Sequence, residues 1–156
     1  MSLAFAEWEP IYEAILADFG FDRAADEQAR DVAVDLADSF DRDRLDSLNG
    51  TTVAIVGAAP SLSAALDAFD PTSVDAVIAA STAADVLLDA DIEVDLMVTD
   101  LDKNTATARE LTRRGTPVAA HAHGDNIPAV EKWLPQFESE QTLVTTQAAP
   151  RGPVKN

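Results

Sequence analysis

From Thr51 onward the chain alternates short apolar runs with stretches of helical spacing, and this alternation is what most limits the folds open to it. Runs at 52–56, 75–80, 95–99, 117–121 and 142–145 are too short for helices and are rich in Val, Ile and Ala. They are apolar at consecutive positions, the mark of strands covered on both faces, and segments 61–69, 83–90, 104–114 and 127–135 between them read as helices. Strand–helix–strand units with right-handed crossovers predict an α/β fold. The expectation is a Rossmann-like parallel sheet of about five strands flanked by helices, over residues 51–156.

Residues 1–50 read instead as an N-terminal helical segment. Trp8, Ile11, Tyr12, Ile15, Leu16 and Phe19 recur at three-and-four spacing before Gly20. Asp22 then caps a second helix whose Ala25, Ala29, Val32, Leu36 and Phe40 line one face. Both stripes read as packing surfaces without chemistry. After the fifth run, Gln147–Asn156 reads as a loop that is either a disordered tail or the point where the chain ends inside a longer protein.

Charge narrows the partners. The 28 Asp and Glu against 11 Lys and Arg leave a net charge of −17, spread along a chain whose 47% hydrophobic content excludes disorder. With 156 residues, one domain is expected. Interspersed acid with only three lysines is the composition of a protein working in concentrated salt, where the Debye length falls to about 3 Å at 1 M and surface repulsion is screened. A halophilic source is therefore expected. A polyanion without a basic patch excludes nucleic acid bound through its phosphates and docking on anionic lipid. The absence of cysteine removes disulfides, thiolate metal sites and thiol nucleophiles. The segment from Met1 to Glu7 lacks a basic leader, and no window approaches the ~18 apolar residues of a membrane span, so a cytoplasmic location is expected. Homo-oligomerisation is left open.

In α/β sheets ligands bind beyond the carboxyl ends of the strands, so the loops after each run hold the candidates. After the first stand Gly57, Ala58, Ala59, Pro60, Ser61 and Leu62. Gly57 permits a tight turn, Pro60 suits a first helical position, and backbone N–H groups near Ser61 could cradle phosphate; an ordinary strand-to-helix turn accounts for the string equally well. It is neither a Walker A loop nor a G-x-G-x-x-G fingerprint. After the third stand Thr99, Asp100, Leu101, Asp102, Lys103 and Asn104. Two carboxylates at i and i+2 point the same way from an extended backbone and can hold Mg²⁺ together with substrate phosphates. A helix cap explains one such residue, and here two acids precede the helix. After the fourth stand His121, Ala122, His123, Gly124, Asp125 and Asn126. The chain's only two histidines share one side if the strand continues, and beside Asp125 they suit metal ligation, proton transfer or polar recognition. Asn126 followed by Pro128 also makes a good helix start. The three loops together point to metal-assisted chemistry on a phosphate compound.

Taken in order, Gly57 to Leu62, Thr99-Asp100-Leu101-Asp102 and His121-Ala122-His123-Gly124-Asp125-Asn126 resemble the motifs of the archaeal 6-hydroxymethyl-7,8-dihydropterin pyrophosphokinases. These are similar in turn to the thiamine pyrophosphokinases, which carry an Asp-rich motif at the corresponding strand end. The resemblance runs from about Thr51 to Asn126, and its H-x-H-G-D-N string is the specific part. It implies Mg²⁺-dependent transfer of diphosphate from ATP to the hydroxymethyl group of a reduced pterin, in a haloarchaeon. Asp100 and Asp102 would hold Mg²⁺, with Asp125 assisting. Gly57, Ala58, Pro60, Ser61 and Leu62 would cradle phosphate, and Thr99 would contact the substrate or nucleotide. His121, His123 and Asn126 would contact the nucleotide or position the attacking hydroxyl. The family commonly places Asp-Gly at the end of the second strand, where this chain has Ala80-Ser81-Thr82-Ala83, and continues past the fifth strand with a Gly- and Asp-bearing segment. A nucleotide- or metal-binding module without catalysis is the alternative. A haloacid-dehalogenase-like, metal-dependent phosphatase ranks lower, because that family's Asp-x-Asp follows the first strand and here the pair follows the third.

Overall fold

A computed structural model describes residues 4–156; Met1–Leu3, the start of the N-terminal segment considered above, lie outside the described residues. The chain forms α1 (Phe5–Phe19), α2 (Arg23–Leu36), a 3₁₀ turn (Arg42–Leu48), and then the alternation expected from the apolar runs. Strands β1 (Val53–Val56), β2 (Ala76–Ala80), β3 (Leu96–Thr99), β4 (Val118–Ala122) and β5 (Thr142–Thr146) are linked by α3 (Leu62–Leu66), α4 (Ala83–Asp89), α5 (Thr105–Arg113) and α6 (Ile127–Trp133). All pairings are parallel and the strand order is the sequence order, β1 to β5.

That order carries a consequence for what is covered. Successive right-handed crossovers that advance always in one direction drop every connecting helix on the same face. The core bears this out: its strand members are Ala54 and Val56, Val77 and Ala79, Met97, Val118, Ala120, Ala122 and Val144, which the register places on one side of the sheet. They pack against Leu66, Ala84, Leu87, Ala108, Leu111 and Val130 from the four connecting helices. The opposite face is partly bare, with Ile55 80% and Val98 40% exposed. The runs are apolar at consecutive positions, yet helices flank the sheet on one side.

The helical segment belongs to the same core. Asp22 caps α2 through Oδ1, which accepts the Ala24 N–H at 2.9 Å, and α2 packs on α6, β4 and β5. Its buried stripe is Asp26, Ala29 and Ala33; of the expected Ala25–Ala29–Val32–Leu36–Phe40 face, Ala29 is buried, Val32 packs against the core and Leu36 is exposed, while Phe40 is buried but lies beyond the helix end. The α1 stripe is also only partly a packing surface: Tyr12 and Leu16 are buried, whereas Ile11 and Phe19 are 52% and 69% exposed. The segment after β5 is neither loose nor detached, contrary to the disordered-tail reading. Ala148 and Val154 are fully buried, Lys155 N–H donates to the Val144 carbonyl at 3.0 Å, and Thr146 N–H donates to the Lys155 carbonyl at 2.7 Å. A parallel bridge thus extends the sheet beyond β5. No helix among the described residues is long and apolar enough to cross a membrane.

Candidate active site

The β3 end is shaped by backbone strain. Leu101 and Asn104 hold φ of +66° and +42°, and across the sheet Ser81, just past β2, holds +50°. Left-handed conformations cost a side-chain-bearing residue on the order of 1–3 kcal/mol, so three of them together must be held in place by their surroundings. The bonds that do so are visible: Ser81 N–H donates to the Val98 carbonyl at 2.8 Å, Asn104 Nδ2 donates to the Ser81 carbonyl at 3.0 Å, and buried Thr99 accepts the Leu101 N–H at 3.0 Å. Ser81 makes the turn for which a glycine would be suited, without glycine. Leu101 also ends the extended backbone, so the reasoning from i, i+2 alternation does not apply to Asp100 and Asp102. Leu101 is driven into the core instead, and Asp100 Oδ1 accepts the Asp102 N–H at 3.2 Å in a tight turn that keeps both acids at the sheet edge.

At the end of β4 the alternation argument holds. His121 and His123 stack with ring centroids 6.1 Å apart. His121 Nδ1 lies 2.9 Å from Thr145 Oγ1 on β5, and burial holds the His121 imidazole below the usual histidine range, with His123 adding to the effect against the pull of Gln147, Asp26 and Asp100. Asn126 is engaged within the chain. It is 2% exposed and all of its bonds are internal: Oδ1 accepts the His123 N–H at 2.9 Å, and Nδ2 donates to the Asp100 and His121 carbonyls at 2.6 and 2.7 Å. These bonds stitch the β3 and β4 ends together.

A second hub was not legible in the motifs. Asp26 of α2 is 4% exposed and accepts three hydrogen bonds, from Tyr12 Oη at 2.7 Å, Gln147 Nε2 at 2.6 Å and the Gly124 N–H at 2.8 Å. It ties α1, the segment after β5 and the His123–Asp125 loop to one carboxylate. Gly124 is required there, because a Cβ would lie 2.6 Å from the Ala25 Cβ. A signal existed in the sequence: Asp26 lies on the same helix face as Ala29 and Ala33, where a small apolar residue would otherwise be expected.

Two cavities open at this edge. One of about 550 Å³ lies between the Gly20–Phe21–Asp22 turn and the β4–α6 loop, and is lined by His123, Asp125 and Gln147 among others. The other, about 400 Å³, has an apolar floor of Ala80 and Val98 with Ser81, Thr99, Asp102 and Lys103 around it. Asp100 and His121 line both. Lys103 was overlooked as a site residue, although it is one of only three lysines and follows Asp102 directly.

The β1–α3 loop is not brought to either cavity. Its strand is at the sheet edge, two strands from β3, and Gly57, Ala58, Pro60 and Ser61 are exposed while Leu62 is buried. Ala59 N–H is spent on the Gly57 carbonyl at 3.0 Å and Leu62 N–H on the Ala59 carbonyl at 3.0 Å. Gly57 is not left-handed and a Cβ there would meet nothing within 4 Å, so no tight turn demands glycine. Pro60 precedes the helix, which starts at Leu62 with Ser61 as its cap.

Among the described residues, no group of three or more His, Asp or Glu side chains converges into a protein-built metal cage. Two hard oxygen donors at a cavity rim are nevertheless the number Mg²⁺ uses when waters and phosphates complete its shell. Asn104 Oδ1, two residues beyond Asp102, is a buried oxygen acceptor with no partner among the described residues.

Residues 28–149 match the family described as 6-hydroxymethylpterin diphosphokinase MptE-like. The chain belongs to the MptE-like family. Its relatives include proteins named 6-hydroxymethyl-7,8-dihydropterin pyrophosphokinase from three organisms. That of Methanothermobacter thermautotrophicus is 36% identical over 159 residues, covering 96% of this chain and 65% of the relative. That of Methanocaldococcus jannaschii is 31% identical over 141 residues, covering 85% and 58%. That of Pyrococcus furiosus is 36% identical over 132 residues, covering 80% and 55%. The MptE-like chain thus spans between 55% and 65% of the length of these curated relatives. The matched region takes in both strand-end motifs of this family member, whereas Phe21 and Asp26 precede it.

Proposed function

We propose that this chain is a 6-hydroxymethyl-7,8-dihydropterin diphosphokinase, transferring the terminal diphosphate of ATP to the hydroxymethyl oxygen of the reduced pterin. The observation that carries the reading is the convergence of Asp100, Asp102, His121, His123 and Asp125 on adjoining cavities at the carboxyl ends of β3 and β4, in a chain of this family. Asp100 and Asp102 would hold Mg²⁺, which supplies charge neutralisation on the phosphates when bound. In the transfer the pterin hydroxyl oxygen bonds to the β-phosphorus of ATP as the bond from that phosphorus to the oxygen bridging to the α-phosphorus breaks, and AMP leaves. The hydroxyl proton passes to His121, whose burial keeps the imidazole neutral and able to accept it. Lys103 faces the phosphates, and Asn126 holds the Asp100 and His121 backbones in fixed relation. Little covalent work is asked of the protein, so alignment and charge dominate.

Incubating the chain with ATP, Mg²⁺ and 6-hydroxymethyl-7,8-dihydropterin in molar KCl should release AMP. No release above the Asp100→Ala, Asp102→Ala background would overturn the reading. One observation favours a second reading, a nucleotide-binding module without turnover: Ser81 occupies the β2 turn where the family's Asp-Gly would place a further carboxylate. Calorimetric binding of Mg²⁺·ATP together with no AMP would select it.

A further inference from the structure

Transfer between two substrates needs two seats that meet at the reacting atoms, and here two cavities share only Asp100 and His121. We propose that the larger cavity seats the flat ring of the acceptor, with Phe21 as its stacking wall, and that the smaller one seats the phosphate chain of the donor. This rests on the diphosphokinase reading and adds which substrate sits where.

The chemistry of the two linings separates them. The smaller cavity holds Lys103, the one cationic side chain lining either, beside the carboxylate pair assigned to the metal. The larger is lined by four aspartates, Asp22, Asp26, Asp100 and Asp125, and by no lysine or arginine. Four carboxylates within one cavity repel a triphosphate. The exposed pair among them, Asp22 and Asp125, suits a neutral ring rich in N–H donors, from which a carboxylate accepts.

Phe21 supplies the apolar half of such a site. It is 54% exposed, lines the larger cavity, and is braced from behind by Phe19, with centroids 5.6 Å apart and planes within 12°. A staple role is missing. Phe21 occupies the position before the N-cap Asp22, from which a staple would pack on the fourth helical residue, and that residue is the buried carboxylate Asp26. The wall opposite is rigid, since Asp26 bonds to Gly124 and Gln147 and Gly124 sits flush on Ala25. A braced aromatic facing a fixed polar wall across a slot is a ring-binding arrangement.

The test is equilibrium binding on the full chain in molar KCl, read for 6-hydroxymethyl-7,8-dihydropterin by its fluorescence and for Mg²⁺·ATP by calorimetry. Phe21→Ala should raise the pterin Kd by a factor of about 5 to 100, the worth of one stacked ring, and leave the ATP Kd within about twofold. Phe21→Trp should restore pterin binding, and Asp102→Ala should weaken ATP and spare pterin. Circular dichroism and melting of each variant confirm that it is folded. Equal loss of both ligands in folded Phe21→Ala, loss of ATP alone, no loss of either, or a change confined to oligomeric state would overturn the assignment. Pterin binding that depends on Phe21 without AMP release would sink the enzyme reading and keep the seat. AMP release insensitive to Phe21 would do the reverse.

Discussion

Replacing Asp26 by alanine removes the acceptor of three buried hydrogen bonds, from Tyr12, Gln147 and Gly124. Each donor then faces the space vacated by the carboxylate. Leaving a buried donor unsatisfied costs about 1–3 kcal/mol, so three at once remove a large share of the 5–15 kcal/mol typical of a domain. Asp26→Asn keeps the shape and one acceptor oxygen. Its amide can be matched if Gln147 turns its carbonyl inward and the Tyr12 hydroxyl accepts, so only charge assistance is lost, about 1–2 kcal/mol. The assay is equilibrium urea unfolding in molar KCl, with the slope against urea unchanged so that the midpoint shift reads stability directly. The expected order is wild type, then Asn, then Ala. An Ala variant within about 1 kcal/mol of wild type would show that water satisfies the three donors, and would refute the view that Asp26 locks the N-terminal helices to the site.

Gly124→Ala should cost about 1–3 kcal/mol by overpacking against Ala25, and adding Ala25→Gly should recover most of it in a double-mutant cycle. Ser81→Gly should relieve the left-handed strain at φ +50° and raise the melting temperature by an amount equivalent to up to about 1 kcal/mol, the strain relief less the entropy of glycine in the unfolded chain. Burial lowers the pKa of His121, so it gains its proton only below the ordinary value of 6.5. The rate of AMP release should therefore be level above that pH and fall below it, while stability also declines there because the unfolded chain takes up the proton more readily. Activity should vanish in chelator, and the melting temperature should drop when molar KCl is exchanged for dilute buffer, since a net charge of −17 is then unscreened.

The bare half of the sheet follows from topology and not from composition. Ile55 and Val98 belong to runs as apolar as any core strand, yet the sequential strand order sends all four connecting helices to the other face. Consecutive apolar residues announce that both faces are able to be covered. They do not announce that the covering elements reach both.

By itself, the sequence determined the parallel α/β alternation, the Asp22 cap, the pairing of His121 with His123 and the strand-end loops as the candidates for chemistry. Each of these is local, set by periodicity over a few residues or by the single rule that strand ends face the ligand. Only the tertiary structure decided which of those loops meet. It joined the β3 and β4 ends through Asn126, left Gly57 to Leu62 at an exposed sheet edge, and pressed the tail against β5. It also brought Phe21 and Asp26, about a hundred residues away in sequence, to the wall of the histidine loop. Contacts at that separation depend on helix packing and on which groups remain unpaired after the strands form, and neither quantity is written in the spacing of any one segment.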